Sequence, residues 1–324
     1  MQRKTIGPFT LSDYAPTPVA FRAQVLAGLW ASPKWLPSKF LYDRTGSRLF
    51  DEICELPEYY PTRTEVAILS AAVDEMARGL GPRPLLVELG SGSGLKTRLL
   101  LAALDHPAAY VAVDISRDEL LSQTAQLADA FPNLELLPVC ADYTLPFQLP
   151  RARKPTANVC FYFPGSTLGN LEDHEALAFL GHLRLLADGP CKLLLGTDMK
   201  KETWRIEAAY NDTRGVTAAF NLNLLTRINR ELHGDFDTTA FSHRAFYDLA
   251  RSRVEMHLVS GSDQTVHIDG VPIDFREGES LRTEYAHKYD PSGLAALAAR
   301  AGFRVLQTWT DAEEFFSVQL LHAP

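Results

Sequence analysis

One short segment carries most of the information about the fold: the apolar run Leu85–Leu89 passes directly into Gly90-Ser91-Gly92-Ser93-Gly94. An apolar run of this length is typical of a buried strand, and a helical pattern begins near Lys96. Glycines at alternate positions let the backbone turn tightly and approach a ligand closely. The segment therefore predicts a strand, a ligand-binding turn and a helix, as found in an open parallel sheet.

The residue at position 95 separates the kinds of ligand that such a turn can bind. A phosphate-binding P-loop and a dinucleotide-binding turn both require glycine where this chain has Leu95, because a side chain would crowd the phosphates. The spacing of Gly90, Gly92 and Gly94 after Glu88 matches instead the E-x-G-x-G-x-G turn of methyltransferases that use S-adenosylmethionine. The alternative is a tight turn without a ligand.

Strand-like and helical patterns alternate from about residue 85 to residue 198. The predicted strands are Leu85–Leu89, Tyr110–Asp114, Leu134–Val139, Val159–Phe163 and Lys192–Thr197, and the predicted helices are Thr97–Leu104, Arg117–Ala130 and His174–Ala187. Apolar strands separated by helices indicate a parallel sheet covered on both faces. A helix over Pro291–Ala301, then strands over Arg304–Trp309 and Phe315–Leu321, predict a closing antiparallel hairpin. The expected class is α/β, a Rossmann-like class I methyltransferase sheet.

Two regions depart from this alternation and predict a second, composite domain. Residues 11–64 are rich in aromatic residues and proline, and residues 201–289 combine helices with strand-like runs at Arg253–Val259 and Gln264–Ile268. We expect these two regions to form a discontinuous substrate-binding domain. Residues 65–200 and 290–324 would form the S-adenosylmethionine-binding domain.

Two acids at strand ends extend the predicted cofactor site. Asp114 ends the second strand, where a carboxylate can accept hydrogen bonds from both ribose hydroxyls. Asp142 follows the third strand, where a carboxylate can accept a hydrogen bond from the adenine amino group. A lone aspartate is more often a helix cap or a turn residue. Three suitable ligands at three successive strand ends favour a cofactor site.

The composition excludes several kinds of partner. The net charge of −8 gives no broad basic field for nucleic acid or an anionic membrane, and no apolar stretch approaches the length of a membrane span. Among the four cysteines, Cys140, Cys160 and Cys191 lie in strand-like runs, which predicts buried thiols. The sequence contains no G-x-S-x-G or H-E-x-x-H motif, so we expect neither a hydrolase nor a metal. A cytoplasmic location is the default expectation, and the sequence leaves the oligomeric state open, with a monomer as one option.

Longer motifs spread along the chain carry a resemblance to one family. They are Tyr42-Asp43-Arg44-Thr45-Gly46-Ser47, Leu56-Pro57-Glu58-Tyr59-Tyr60-Pro61-Thr62-Arg63-Thr64-Glu65, Pro164-Gly165-Ser166-Thr167-Leu168-Gly169-Asn170, Gly196-Thr197-Asp198, Ala209-Tyr210-Asn211-Asp212, Gly215-Val216-Thr217-Ala218-Ala219-Phe220-Asn221 and Arg282-Thr283-Glu284. With the glycine turn and Lys96-Thr97, they resemble the histidine Nα-methyltransferases of ergothioneine biosynthesis, which make trimethylhistidine (hercynine). The resemblance implies S-adenosylmethionine as cofactor and a free amino acid as substrate.

The resemblance also implies a role for individual residues. Asn170 and Tyr210 would hold the substrate carboxylate, while Tyr42 and backbone carbonyls near Gly165 and Thr167 would orient the amine. The pocket would be lined by Tyr59, Phe50 and Met256, and Glu284 would meet the imidazole. On the cofactor side, the resemblance and the loop together select Glu88, Gly90, Gly92, Lys96, Asp114 and Asp142.

One position departs from the family pattern. The histidine enzymes carry a serine two residues after the glutamate, whereas this chain has Ala286. Loss of one hydrogen bond to a buried ring costs about 0.5–1.5 kcal/mol, or roughly threefold to tenfold in binding. Histidine stays the first expectation. The alternatives are another amino acid such as tryptophan, and a cofactor-binding module without catalysis.

Overall fold

The computed structural model describes residues 2–6, 9–15, 17–92 and 94–324, so Ser93 of the glycine turn lies outside the described residues. The strands are β1 (Gln2–Ile6), β2 (Phe9–Asp13), β3 (Lys34–Trp35), β4 (Pro84–Leu89), β5 (Ala109–Asp114), β6 (Leu136–Cys140), β7 (Asn158–Phe163), β8 (Cys191–Asp198), β9 (Phe241–Asp248), β10 (Arg253–Ser260), β11 (Gln264–Ile268), β12 (Val271–Phe275), β13 (Ser280–His287), β14 (Arg304–Thr310) and β15 (Phe316–Ala323). The helices are α1 (Pro18–Trp30), α2 (Arg44–Cys54), α3 (Tyr60–Leu80), α4 (Leu95–Ala103), α5 (Arg117–Ala130), α6 (Asp173–Ala187), α7 (Thr203–Tyr210), α8 (Val216–Glu231) and α9 (Pro291–Arg300).

The chain divides into two compact units. The first, the sheet unit, comprises Met1–Ala15, Pro61–Lys200 and Lys288–Pro324. The second, the composite unit, comprises Pro16–Tyr60 and Lys201–His287. Each unit is therefore built from segments that are distant in sequence.

The sheet unit contains a large, mainly parallel sheet with the order β1-β2-β6-β5-β4-β7-β8-β15-β14. Strands β6, β5, β4, β7 and β8 pair in parallel, while β15 runs antiparallel to β8 and β14 antiparallel to β15. The chain proceeds from β4 towards β6 on one side and then returns to β7 on the other. The order therefore reverses between β4 and β7, where open sheets of this kind bind ligands.

Alternate residues of β4 explain why the sheet is covered on both faces. Leu85 and Val87 belong to one apolar core cluster, with residues of α6 and α9. Leu86 belongs to a second cluster, with residues of α3, α4 and α5. Successive side chains of a strand point to opposite faces, so a strand that is apolar throughout needs helices on both sides.

The composite unit contains a four-stranded sheet with the order β3-β13-β10-β9 and a separate hairpin of β11 and β12. Strands β9, β10 and β13 pair in antiparallel fashion, and the short β3 pairs in parallel with β13. Helix α8 contacts α2, β9 and β10. Helix α8 thus packs against both α2 and the four-stranded sheet.

The predicted parallel strands and the terminal hairpin are confirmed, with ends that differ by one or two residues. The third strand begins at Leu136 instead of Leu134, because the Leu134 N–H donates to the Phe131 carbonyl in a turn after α5. Cys140, Cys160 and Cys191 are buried thiols, as predicted.

The beginning of the chain differs from the expected domain division. Residues 11–15, which we assigned to the substrate-binding domain, lie in the sheet unit because Ser12 and Asp13 pair in parallel with Val139 and Cys140 of β6. Residues 61–64 and 288–289 also belong to the sheet unit. The composite unit is correspondingly shorter than residues 11–64 and 201–289.

Candidate functional site

The glycine turn follows β4 at the point where the strand order reverses. The Gly90 N–H donates to the Val113 carbonyl over 2.8 Å, which ties the start of the turn to the end of β5. The φ angles of Gly90 and Gly92 are +79° and +45°. A Cβ atom at either position would meet open space, so glycine is required by backbone conformation and not by crowding.

Asp114 holds the turn from the end of β5. Its carboxylate accepts hydrogen bonds from the Ser91 N–H (3.1 Å) and the Ser116 N–H (2.8 Å). Burial raises the pKa of Asp114, and these two N–H donors oppose the rise. The Ser91 hydroxyl beside it is buried and finds no hydrogen-bond partner within the described part of the chain. A polar ligand in the turn would satisfy this hydroxyl.

Asp142 follows β6 and is 6% exposed. One of its carboxylate oxygens accepts hydrogen bonds from the Thr144 N–H (3.0 Å) and the Thr144 hydroxyl (2.6 Å), which fixes the orientation of the carboxylate. Asp114 and Asp142 therefore lie at the carboxyl ends of neighbouring parallel strands. Such strand ends form one edge of the sheet.

Glu88, which we expect to belong to the cofactor site, lies near the end of β4, two residues before Gly90. Its side chain is buried, and both carboxylate oxygens accept from the Thr97 hydroxyl at 2.9 and 2.7 Å. The Tyr110 hydroxyl donates to one of the same oxygens at 2.5 Å. Burial raises the pKa of Glu88 to about 7, although the bonds from Tyr110 and Thr97 oppose the rise. These bonds connect the end of β4 to α4 and β5.

The segment from Pro164 to Asn170 follows β7, the strand on the other side of the reversal. Gly165 and Ser166 both have positive φ angles, +77° and +60°. The Thr167 hydroxyl donates to the Pro164 carbonyl (2.8 Å), and the Asp198 N–H donates to the Ser166 hydroxyl (2.9 Å). The segment ends in a short 3-10 helix, Thr167–Asn170, at which Asn170 is half-buried.

Glu65 is a residue of this region for which the sequence analysis named no role. Its buried carboxylate accepts hydrogen bonds from Lys96 Nζ (2.5 Å) and from the Gly165 N–H (2.9 Å to the nearer oxygen). Lys96 is thus part of an ion pair whose carboxylate is buried. The sequence carried one signal for this residue, the motif that ends at Thr64-Glu65, which the structure places in the first turns of α3.

In the composite unit, five aromatic rings form a cluster. Ring-centroid distances are 5.5 Å for Tyr42–Phe50 and Tyr42–Phe220, 6.0 Å for Phe50–Phe220, 6.1 Å for Phe50–Tyr59 and 6.3 Å for Tyr59–Tyr210. Most of these pairs are edge-to-face, the arrangement that the ring quadrupoles favour. The structure brings together the predicted Tyr42, Phe50, Tyr59 and Tyr210, and adds Phe220, which was quoted only as part of a motif.

The end of α7 that carries Tyr210 is held by polar side chains. His243 Nε2 lies 2.9 Å from the Tyr210 carbonyl, and His243 Nδ1 lies 3.0 Å from the Asn221 amide nitrogen. The carbonyl can only accept, so Nε2 carries the proton and Nδ1 accepts from Asn221. Burial lowers the pKa of His243, which favours this neutral form. The bond from His243 thus fixes the main chain at Tyr210.

Met256, Glu284 and Ala286 lie on one face of the four-stranded sheet. Glu284 pairs with Met256 and Ala286 pairs with Val254 across β10 and β13. Between Met256 and His257 the register shifts by one residue, so Thr283 is the extra residue of a β-bulge. The Thr283 hydroxyl donates to the Met256 carbonyl over 3.1 Å. Glu284 is buried, with 8% of its surface exposed.

Among the described residues, no group of three or more histidine, cysteine, aspartate or glutamate side chains is arranged to hold a metal ion. No helix in the described ranges combines the length and apolar character needed to cross a membrane.

The sheet unit fits an S-adenosylmethionine site on its own geometry. A glycine turn with an unsatisfied buried hydroxyl and two oriented carboxylates lies at the order reversal of a parallel sheet that ends in an antiparallel strand. These features define a class I, S-adenosylmethionine-dependent methyltransferase. A comparison with family models places residues 21–323 in the family "histidine-specific methyltransferase, SAM-dependent". The chain belongs to this family.

Individual relatives agree with the family. The chain is 40% identical to a histidine N-alpha-methyltransferase of Mycolicibacterium smegmatis over 307 residues, which cover 93% of this chain and 94% of the relative. It is also 40% identical to the enzyme of that name from Mycobacterium tuberculosis, with the same coverage. Ergothioneine biosynthesis protein 1 of Neurospora crassa is 29% identical over 87% of this chain and 32% of the relative.

Proposed function

We propose that this protein methylates the α-amine of free L-histidine, with S-adenosylmethionine as methyl donor. The product would be Nα,Nα,Nα-trimethylhistidine, an intermediate on the way to ergothioneine. The observation that carries the choice of substrate is Glu284, a buried carboxylate that faces Met256 in the composite unit. A buried carboxylate can accept a hydrogen bond from an imidazole N–H. The relatives named for histidine methylation support the same substrate.

The side chains divide into those that bind the cofactor and those that bind the amino acid. When bound, S-adenosylmethionine supplies a methyl carbon that is already activated by the sulfonium. We assign Gly90, Gly92, Lys96, Asp114 and Asp142 to its binding. The geometry of the glycine turn and the orientation of the Asp114 and Asp142 carboxylates support this assignment.

For the amino acid, we assign Asn170 and Tyr210 to the carboxylate, and Tyr42 with the backbone at Gly165 and Thr167 to the amine. Tyr59, Phe50 and Met256 would line the pocket, and Glu284 would accept the imidazole N–H. No group of the enzyme needs to act as a nucleophile, because the substrate amine is the nucleophile. Positioning and exclusion of water can together supply ~7–11 kcal/mol to such a reaction.

The test is mass spectrometry of histidine after incubation with the protein and S-adenosylmethionine. We expect products with one, two and three added methyl groups, with the trimethylated product accumulating last. Asn170→Ala should lose turnover while it still binds S-adenosylhomocysteine. Normal turnover by this variant would remove Asn170 from the substrate site, and absence of any methylated histidine from the wild-type reaction would contradict the proposed substrate.

A second substrate deserves a parallel assay because of Ala286. The side chain of Ala286 lacks a hydroxyl and is buried two residues from Glu284 on the same face. This leaves room for a larger ring, as in tryptophan. A panel of free amino acids under identical conditions distinguishes histidine from tryptophan as the substrate. A higher kcat/KM for tryptophan than for histidine would make tryptophan the proposed substrate.

A further inference from the structure

Glu65 joins two segments that lie on either side of the strand-order reversal. It lies in the first turns of α3, and its side chain is 1% exposed. Its carboxylate accepts from Lys96 Nζ at 2.5 Å and from the Gly165 N–H at 2.9 and 3.2 Å. One buried negative charge is therefore shared between the helix after the glycine turn and the segment after β7.

The bond to Gly165 fixes the orientation of a whole peptide group. In a trans peptide, the N–H and the preceding carbonyl point in opposite directions. Here the Gly165 N–H points to Glu65, and the Pro164 carbonyl accepts from the Thr167 hydroxyl at 2.8 Å. The peptide plane is thus held from both sides. Such support matters because Gly165 and Ser166 have consecutive positive φ angles, and the second is not glycine.

The backbone of β8 is shaped to admit this carboxylate. A Cβ atom placed on Gly196 would lie 2.1 Å from Glu65 Oε1 and 3.1 Å from a ring carbon of Phe316. Any side chain at position 196 would therefore displace the carboxylate. Glycine at this position and glutamate at position 65 form one fitted pair, on a strand and a helix that are distant in sequence.

We propose that Glu65 is a positioning residue that sets the Lys96 ammonium and the Gly165 peptide at a fixed separation, so that cofactor binding and amine orientation depend on one buried charge. The proposal rests on the proposed function for the assignment of Lys96 to the cofactor and Gly165 to the amine. Glu65 itself touches neither ligand in this scheme. Its effect is transmitted through two short, charge-assisted hydrogen bonds.

The primary test is Glu65→Gln, which keeps the size of the side chain and one acceptor oxygen but removes the charge. We expect the dissociation constant for S-adenosylhomocysteine, measured by calorimetry, and the KM for histidine each to rise about tenfold, because hydrogen bonds to charged groups contribute more than neutral ones. The matched control is Glu75→Gln on the same helix. Glu75 accepts from Gln307 and Trp309 of β14, so its replacement should leave both constants unchanged.

A double-mutant cycle with Lys96→Met separates the effect of Glu65 on cofactor binding from its effect on substrate binding. If Glu65 acts on the cofactor through Lys96, Glu65→Gln should weaken S-adenosylhomocysteine binding no further once Lys96 is methionine. The rise in the histidine KM should persist in that background, because it is transmitted through Gly165. If Glu65→Gln does not fold, Glu65→Asp replaces it, since the shorter acid keeps the charge but cannot reach both donors.

The outcomes are distinct. A lower melting temperature with both constants unchanged would show a purely structural role and overturn the proposal. Strictly additive effects of Glu65→Gln and Lys96→Met on S-adenosylhomocysteine binding would also overturn it. Failure of the wild-type protein to methylate histidine would contradict the proposed function instead, and calorimetry with S-adenosylhomocysteine would still test the link between Glu65 and Lys96.

Discussion

Met256 and Glu284 lie directly opposite each other across β10 and β13, and the extra residue Thr283 produces this pairing. Leu258 pairs with Leu281, so two residues of β10 correspond to three residues of β13 over the same length. Without the bulge, strict alternation from Leu281 would turn Thr283 inward and Glu284 outward. The bulge therefore places the carboxylate on the face that carries Met256.

The hydroxyl of Thr283 should accordingly influence substrate affinity. Thr283→Val keeps the shape of the side chain but removes the 3.1 Å bond to the Met256 carbonyl, which costs about 1 kcal/mol of stability. We expect the KM for histidine to rise about threefold to tenfold, because the carboxylate of Glu284 is less well fixed. Thr283→Ser, which restores the hydroxyl, should recover most of the affinity. Equal KM values for all three proteins would show that the bond has no part in substrate binding.

Ala286 offers a gain-of-function test on the same face. Ala286→Ser introduces a hydroxyl two residues from Glu284, where it can form a second hydrogen bond with the substrate ring. We expect the KM for histidine to fall about threefold to tenfold, equivalent to about 0.5–1.5 kcal/mol. Steady-state kinetics with histidine and with tryptophan provide the measurement. A fall in the KM for tryptophan, with that for histidine unchanged, would argue against an imidazole beside position 286.

Glu88 gives the protein a pH-dependent stability. Its pKa is raised from 4.5 to about 7, so between these values the folded protein retains a proton that the unfolded chain releases. The free energy of unfolding should therefore decrease as the pH rises through this range and become level above it, with a total change of about 3 kcal/mol. Glu88→Gln removes the ionisable group, so the variant should not lose this stability. Its free energy of unfolding should therefore rise relative to that of the wild type as the pH increases from 4.5 to about 7. Urea denaturation from pH 4.5 to 8 measures it, and a constant difference would refute the raised pKa.

Gly196 tests the fitted pair from the side of the strand. Gly196→Ala would bring a methyl group against the Glu65 carboxylate, and overpacking of this kind costs about 1–3 kcal/mol. We expect weaker S-adenosylhomocysteine binding together with a lower melting temperature. Gly181→Ala is the control, because a Cβ atom there meets nothing within 4 Å and alanine favours the helix α6. Normal binding of S-adenosylhomocysteine by Gly196→Ala would show that cofactor binding does not depend on the position of the Glu65 carboxylate beside residue 196.

The parallel core of the sheet was predictable because each of its strands carries its own signal. β4 and β5 are apolar except for Glu88 and the terminal Asp114, since helices cover both of their faces, and a run of that kind is visible without knowledge of its partners. The same holds for Asp114, whose position at a strand end follows from the length of the run. These features depend on local sequence and on the general rule for parallel sheets.

Other features depend on pairing that the sequence does not display. β2 has five residues and pairs with β6 through Ser12 and Asp13, more than 120 positions away in the chain. The bulge at Thr283 is a one-residue irregularity within a run that reads as regular alternation. The role of Glu65 depends on the meeting of α3, α4 and the segment after β7, which no local pattern specifies.

The hairpin of β1 and β2 has a practical consequence for anyone who shortens this protein. The family match begins at residue 21, after the hairpin, so a version trimmed to the matched segment would lack both strands. The backbone of β6 would then lose the bonds it makes with Ser12, Asp13 and Tyr14, and would become an exposed strand edge. Exposed edges recruit strands from other molecules. A chain trimmed in this way should aggregate at concentrations that the longer chain tolerates, even though every proposed ligand contact is still encoded in it.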